Sequence, residues 1–117
     1  MENGEITDRQ ISASSEYDEN HAAVQGRLNF LKSGDKEGAW SAKTSDANQY
    51  LQIDLGNEVT KVTRVASQGR NGYSVSGGQW VRTYKLKYSN DEVNFQYYRE
   101  EGEDTDKVSV PVKFVIS

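Results

Sequence analysis

The stretch Tyr50-Leu51-Gln52-Ile53-Asp54-Leu55-Gly56 constrains the fold more than any other part of the chain. Leu51, Ile53 and Leu55 alternate with Gln52 and Asp54, the period-two pattern of a strand with one buried face. Gly56 and Asn57 then break the run. A second extended segment, rich in β-branched residues, covers 62–68. This pair is expected to form the spine of the fold. No segment sustains a helical period; residues 21–24 offer at most one turn. Short strands separated by turn signals point to an all-β sandwich or barrel.

Upstream, residues 11–15 read as a short strand of small side chains, and 16–20 as an acidic loop. Leu28 and Leu31 are expected core contacts, 33–38 a turn, and Ala39-Trp40 an apolar anchor before a polar loop at 41–49. Downstream, 69–78 holds four glycines and must be an exposed loop. Trp80, Tyr84, Leu86 and Tyr88 fall on one face of an alternating run, with Lys85 and Lys87 opposite. Tyr50, Trp80, Tyr84 and Tyr88 are therefore assigned to core or sheet packing. Ser89-Asn90-Asp91-Glu92 carries turn chemistry, and 95–98 is expected to return as a hairpin strand. After a charged loop at 99–107, Val108, Val110, Val112, Phe114 and Ile116 alternate cleanly. Pro111 interrupts them and cannot donate to a ladder, so this tail is expected to be an edge strand.

The chain has 117 residues, a size suited to one domain that buries about two thirds of its unfolded surface. Leu, Ile, Val and Phe supply only 23 residues, and the mean hydropathy is −0.86. The core must be lean and lean on aromatics, of which two Trp and seven Tyr are present. There is no cysteine, which removes disulfides, thiol nucleophiles and cysteine metal sites from the chain. No run is long and apolar enough for a membrane span, and the polar, acidic first twenty residues are not expected to be a signal peptide. A net charge of −4 argues against nucleic acid as a partner.

Catalysis has little to stand on. His21 is the sole histidine, so any triad must use it, and no nucleophile-elbow motif surrounds Ser12, Ser14 or Ser15. Gly69-Arg70-Asn71-Gly72 lacks the lysine-serine/threonine ending of a phosphate loop. Asp18 and Glu19, with Asn20, or else Asp35 and Glu37, are candidate calcium ligands, but neither group follows the twelve-residue hand loop. The commoner reading is a solvated acidic loop with no cofactor. Charge is unevenly spread: residues 61–87 hold six basic and no acidic side chains, whereas 16–19 and 100–106 are strongly acidic. Arg70 and Arg82, flanking the glycine-rich loop, are candidates for an anionic ligand group. Tyr73, alone among glycines and serines, is a candidate contact for a sugar ring or a membrane interface.

Six pieces in order resemble the discoidin domain, also called the coagulation factor V/VIII type C domain. They are Ile11-Ser-Ala-Ser-Ser-Glu16, Arg27-Leu28-Asn29, Ala39-Trp40, Tyr50 to Gly56, Val62-Thr-Arg-Val-Ala-Ser-Gln-Gly-Arg70, and Trp80-Val-Arg-Thr-Tyr84 continuing to Tyr88-Ser-Asn-Asp91. The resemblance implies a jelly-roll-like antiparallel β-sandwich serving as a non-catalytic extracellular or cell-surface module. Its ligand would be a glycan, a matrix or cell-surface protein, or an anionic phospholipid such as phosphatidylserine, bound by loops at one end. By position those loops are 17–24, 41–49 and 71–78. The site residues implied are Tyr17, Asp18, Asn20, His21, Lys43, Arg70, Asn71, Tyr73 and Arg82. Lipid-binding relatives carry bulky apolar tips on the first and third loops. Here Asp18, Glu19 and Asn20 stand on the first, and Ser74 follows Tyr73 on the third, which ranks lipid below glycan or protein.

The sequence also departs from the family pattern. Both usual cysteines are absent, and the resemblance ends near Lys107. Residues 1–107 are therefore read as a partial discoidin-like domain, truncated at its C-terminus, and 108–117 as a divergent tail. A fragment with no independent function is the remaining alternative.

Overall fold

A computed structural model describes residues 5–56, 60–70, 79–82, 84–98, 109–110 and 113–116. Among the described residues there are seven strands: β1 (Ile11–Ala13), β2 (Leu51–Asp54), β3 (Thr60–Lys61), β4 (Leu86–Ser89), β5 (Gln96–Tyr97), β6 (Ser109–Val110) and β7 (Lys113–Ile116). Five of them form one antiparallel sheet in the order β1-β2-β7-β4-β5, and β3 pairs with β6 in a separate two-stranded sheet. The helical content described is three single turns of 3-10 helix, at Asp8–Gln10, Glu19–His21 and Ala23–Gly26.

The register explains why these short strands hold together. Ile11 faces Ile53, Ile53 faces Phe114, and Phe114 faces Tyr88; in the next row Ala13, Leu51, Ile116 and Leu86 are aligned. Alternate positions point to opposite faces of a sheet, so Ile11, Ile53 and Tyr88 share one face with Ala13, Leu51 and Leu86. The intervening row of Ser12, Gln52, Val115, Lys87 and Tyr97 occupies the other. Among the described apolar side chains Ile11, Ala23, Leu51 and Ile53 are buried; Ile11, Ala23 and Leu51 form one cluster, against which Ile6, Ala13, Val24 and Trp40 pack. Fully burying each large aliphatic contributes about 1.5–3 kcal/mol. The alternation at Leu51 and Ile53 is thus realised.

The tail differs from its expectation. Residues 113–116 form no edge strand: β7 lies in the middle of the sheet, between β2 and β4. Its apolar positions complete two cross-strand rows. Pro111 lies in sequence between β6 and β7, outside the described residues.

Three other expectations are corrected. Beyond Thr60–Lys61 the segment 62–68 joins no ladder, and Val65 is exposed. Trp80 is 65% exposed, and Tyr84 and Tyr50 are exposed too, so they do not serve as core residues; Trp40 does. Leu31 is also exposed. The hairpin is as expected: β5 returns onto β4, and Asp91 closes the turn by accepting from the backbone N–H groups of Val93 (3.0 Å) and Asn94 (2.7 Å). These bonds, with those to the Asn94 amide and the Ser89 hydroxyl, hold the Asp91 carboxyl well below the usual range.

Two glycines set the approach of the segments around the core. Gly38 sits at φ +66°, and a Cβ there would lie 2.8 Å from backbone atoms of Phe30, Leu31 and Lys32. Its N–H donates to the buried Gln25 side chain at 3.3 Å. Gly26 lets Leu51 and Trp40 close over the last 3-10 turn.

Candidate functional site

The first loop is built around Asp18. One carboxylate oxygen, Oδ1, accepts from the backbone N–H of Asn20 (2.9 Å), the backbone N–H of His21 (3.0 Å) and His21 Nδ1 (2.7 Å). The first two bonds make Asp18 the N-cap of the Glu19–His21 turn. The His21 side-chain bond, foremost, keeps the Asp18 carboxyl below its ordinary range, with the Asn20 N–H adding to it. The His21 ring meets Tyr17 edge-on, with centroids 5.5 Å apart, and leaves Tyr17 63% exposed. Glu16 accepts from the Ala23 N–H at 2.6 Å and fixes the loop's far end.

The second loop is tied to the first at its start. The Tyr17 N–H donates to the Ser41 carbonyl (2.8 Å), and the Ser41 N–H donates to the His21 carbonyl (3.2 Å). Further along, the Lys43 N–H donates to Ser15 Oγ (3.1 Å), while Ser14 Oγ and Ser15 Oγ both donate to Gln49 Oε1. Trp40 Nε1 donates to the Ser15 carbonyl at 2.9 Å. Inside this loop the Asn48 N–H, then the Gln49 amide, lower the Asp46 carboxyl.

The third loop enters through Glu37. The Glu37 N–H donates to the Asn20 carbonyl (3.0 Å), and its carboxylate receives Lys32 Nζ (3.0 Å) and the Arg70 guanidinium. The Lys32 hydrogen bond and the Arg70 charge hold the Glu37 carboxyl below its ordinary range. Arg70 in turn donates from its backbone N–H to the Gln79 carbonyl (2.8 Å) and from its side chain to Gln79 Oε1 (3.1 Å). Gly69 lies against Trp80 and Gln79 there. Gly69-Arg70 and Gln79-Trp80 are therefore the two sides of the third loop's base.

Tyr17, Asp18, Asn20, His21 and Arg70 are thus linked through Ser41 and Glu37, and Lys43 is joined to the preceding segment through the Ser15 hydroxyl. Arg82 is exposed and is not drawn into this cluster; among the described residues it makes no ion pair. Asn71 and Tyr73, with the rest of 71–78, lie outside the described residues. No group of three or more His, Asp or Glu side chains gathers among the described residues as a metal site. Asp18 Oδ1, the better calcium candidate, already accepts three N–H donors.

Sequence reasoning missed the connecting residues. Read from the sequence, Glu37 offers only a metal ligand, although it is the counter-ion of Arg70, and nothing in its neighbourhood signals a partner at position 70. Ser41 acts through its backbone and leaves no side-chain signal. The exposure of Trp80 had one available cue, its place directly after Gly77-Gly78-Gln79.

A family model described as the F5/8 type C domain matches residues 10–116. Coagulation factor V of Sus scrofa is 36% identical over 118 residues, covering 92% of this chain and 5% of that protein. Lactadherin of Rattus norvegicus is 36% identical over 105 residues, covering 87% of this chain and 24% of that one. The chain therefore spans only a small part of these curated relatives. Among solved structures, recombinant discoidin II of Dictyostelium discoideum aligns with a TM-score of 0.71 at 25% identity, over 91% of this chain and 48% of that one. The shared architecture is an all-β sandwich with few helices. The family match continues through β7, beyond residue 107, where the sequence resemblance had ended.

Proposed function

Because the chain belongs to the F5/8 type C, or discoidin, domain family, we propose that it is a non-catalytic extracellular binding module. Its ligand surface is the end where residues 17–24, 41–49 and the base of 71–78 converge, and its ligand is a glycan or a matrix or cell-surface protein. One observation carries the reading: hydrogen bonds and the Glu37–Arg70 pair stitch three loops, distant in sequence, into one surface. Preorganised loops on a sheet scaffold lower the entropic cost of binding. The surface has the chemistry of a sugar site. The exposed Tyr17 ring offers an apolar face, braced by His21, with Asn20, Lys43 and Arg70 as polar partners. Tyr73 is assigned to it from its sequence position.

The test is binding to a glycan array and to a panel of immobilised matrix proteins, comparing the unmodified chain with Tyr17→Ala, Arg70→Ala and Tyr73→Ala. Loss of signal in at least one variant is expected; equal signal in all would remove the loop end from the site. No resident metal is assigned, since three N–H donors converge on Asp18 Oδ1 and would repel a cation. Chelation with EGTA is expected to leave binding and thermal midpoint unchanged.

An anionic-phospholipid surface is the second reading, favoured by the exposure of Trp80 (65%) and Val81 (60%) next to Arg82. Aromatic and cationic side chains together suit the headgroup region. Asp18 and Glu19 on the first loop oppose it. Co-sedimentation with liposomes that requires phosphatidylserine and is lost in Trp80→Ala would establish this reading instead.

A further inference from the structure

The β4–β5 hairpin carries chemistry that the loop end does not use. Lys87 and Tyr97 are direct cross-strand partners, and the Tyr98 N–H donates to the Leu86 carbonyl at 2.8 Å. Side chains alternate along a strand, so Lys85, Lys87 and Tyr97 share the outer face. On the inner side Tyr88 instead bonds to Gln96. Both ammonium groups converge on one ring: Lys85 Nζ lies 5.4 Å from the Tyr97 centroid and Lys87 Nζ 4.7 Å. The ring itself is 53% exposed. Each cation is attracted by the ring quadrupole, but the two repel one another. Among the described residues neither has a carboxylate within ion-pair distance.

We propose that Lys85, Lys87 and Tyr97 form a second binding site, on the outer face of the β4–β5 hairpin, for the sulfate groups of a sulfated glycan chain. A sulfate ester between the two ammonium groups relieves their repulsion and forms charge-assisted hydrogen bonds to both. The exposed part of the Tyr97 ring supplies an apolar surface for the adjoining sugar. An extended anionic surface fits less well. Asp91 and Glu92 stand at the hairpin turn, and Glu100, Glu101, Glu103, Asp104 and Asp106 follow β5 in sequence. A bilayer or a nucleic-acid duplex would also meet Asp91 and Glu92 at the hairpin turn, whereas a single glycan chain presents separate sulfates to the lysine pair. The site rests on the hairpin alone and is independent of the reading of the loop end.

The experiment is calorimetric titration of the full chain with a heparin octasaccharide and with its fully desulfated counterpart. It is repeated for K85Q/K87Q, for Tyr97→Ala and, as a control for loss of an exposed cation elsewhere, for Arg64→Ala. The expected result is binding to the sulfated chain only, weakened at least roughly tenfold in K85Q/K87Q, weakened less in Tyr97→Ala, and unchanged in Arg64→Ala. The dependence of log affinity on log salt should also become shallower in K85Q/K87Q by about 1–2, as two charge contacts are lost. Circular dichroism melting of each variant separates loss of the site from loss of the fold, and K85R/K87R, which keeps both charges, should retain binding. Equal affinity for the desulfated chain, full affinity in K85Q/K87Q, or binding that the same lysines direct to anionic vesicles but not to heparin would each overturn the proposal.

Discussion

Arg70 and Glu37, 33 positions apart in sequence, meet guanidinium to carboxylate across the loop end. Through this contact and the Glu37 N–H bond to the Asn20 carbonyl, the base of the third loop is coupled to the first. Arg70 therefore contributes to the surface in two ways: its own donors, and the position it imposes on the residues it ties.

The first prediction concerns that coupling. Glu37→Gln leaves the backbone bond to Asn20 but removes the charge that holds Arg70. Binding of a ligand identified on the array is expected to weaken severalfold in Glu37→Gln and more in Arg70→Ala. The double variant should be no worse than Arg70→Ala alone, since residues in one network are not additive. A titration of all three variants checks it.

A second prediction follows from acid. Glu37, Asp18, Asp46 and Asp91 all have carboxyl pKa values lowered by hydrogen bonds or neighbouring cations. A group with a lowered folded pKa binds its proton more readily when unfolded. Its stabilisation is complete above the ordinary range, 4.5 for Glu37 and 3.8 for the aspartates, and is lost as pH falls through the folded values. The thermal midpoint is expected to be flat near neutrality and to drop steadily below about pH 4.5. Asp91→Asn should lower the midpoint at neutral pH and flatten the acid slope.

Gly38 gives a third. Alanine there meets three backbone atoms at 2.8 Å and must adopt a positive φ. Backbone strain of this kind costs about 2–3 kcal/mol, so Gly38→Ala should lower stability by that order in urea unfolding. It should also weaken loop-end binding, because Glu37 is its neighbour. Gly34→Ala, also at positive φ but with open space around its Cβ, should cost less.

The fourth concerns the tail. With β7 between β2 and β4, removing residues 108–117 separates β1–β2 from β4–β5 and exposes two strand edges. The shortened chain is expected to lose its cooperative thermal transition, which the full chain should show. An edge strand would have been dispensable. Val115→Pro, which removes a backbone donor in the middle of the sheet, should destabilise nearly as much.

Several of these features were legible in the sequence because they depend on neighbours. Leu51 and Ile53 announce a buried face by alternation, Asn90 and Asp91 announce a turn, and the six ordered pieces announce the family. The bounds 17–24 and 41–49 follow from position in the family pattern, and the first of these segments carries 3-10 turns. What the sequence concealed is pairing between distant segments. Pro111 argued for an edge because nothing local shows that the tail divides into β6 and β7 around it. Trp80 alternates like a core residue, yet it stands at the base of a loop, where periodicity no longer reports burial. Arg70 looked like a free cation because its partner lies 33 residues away.

The measurement that tests the central claim most directly is a two-dimensional amide NMR titration of the full chain with the strongest ligand from the glycan or matrix array. Perturbed resonances are expected to cluster at Tyr17, Asn20, His21, Lys43 and Arg70, with β1 and β2 unaffected. Perturbations confined to the sheet strands, with those five residues unmoved at saturation, would contradict the account.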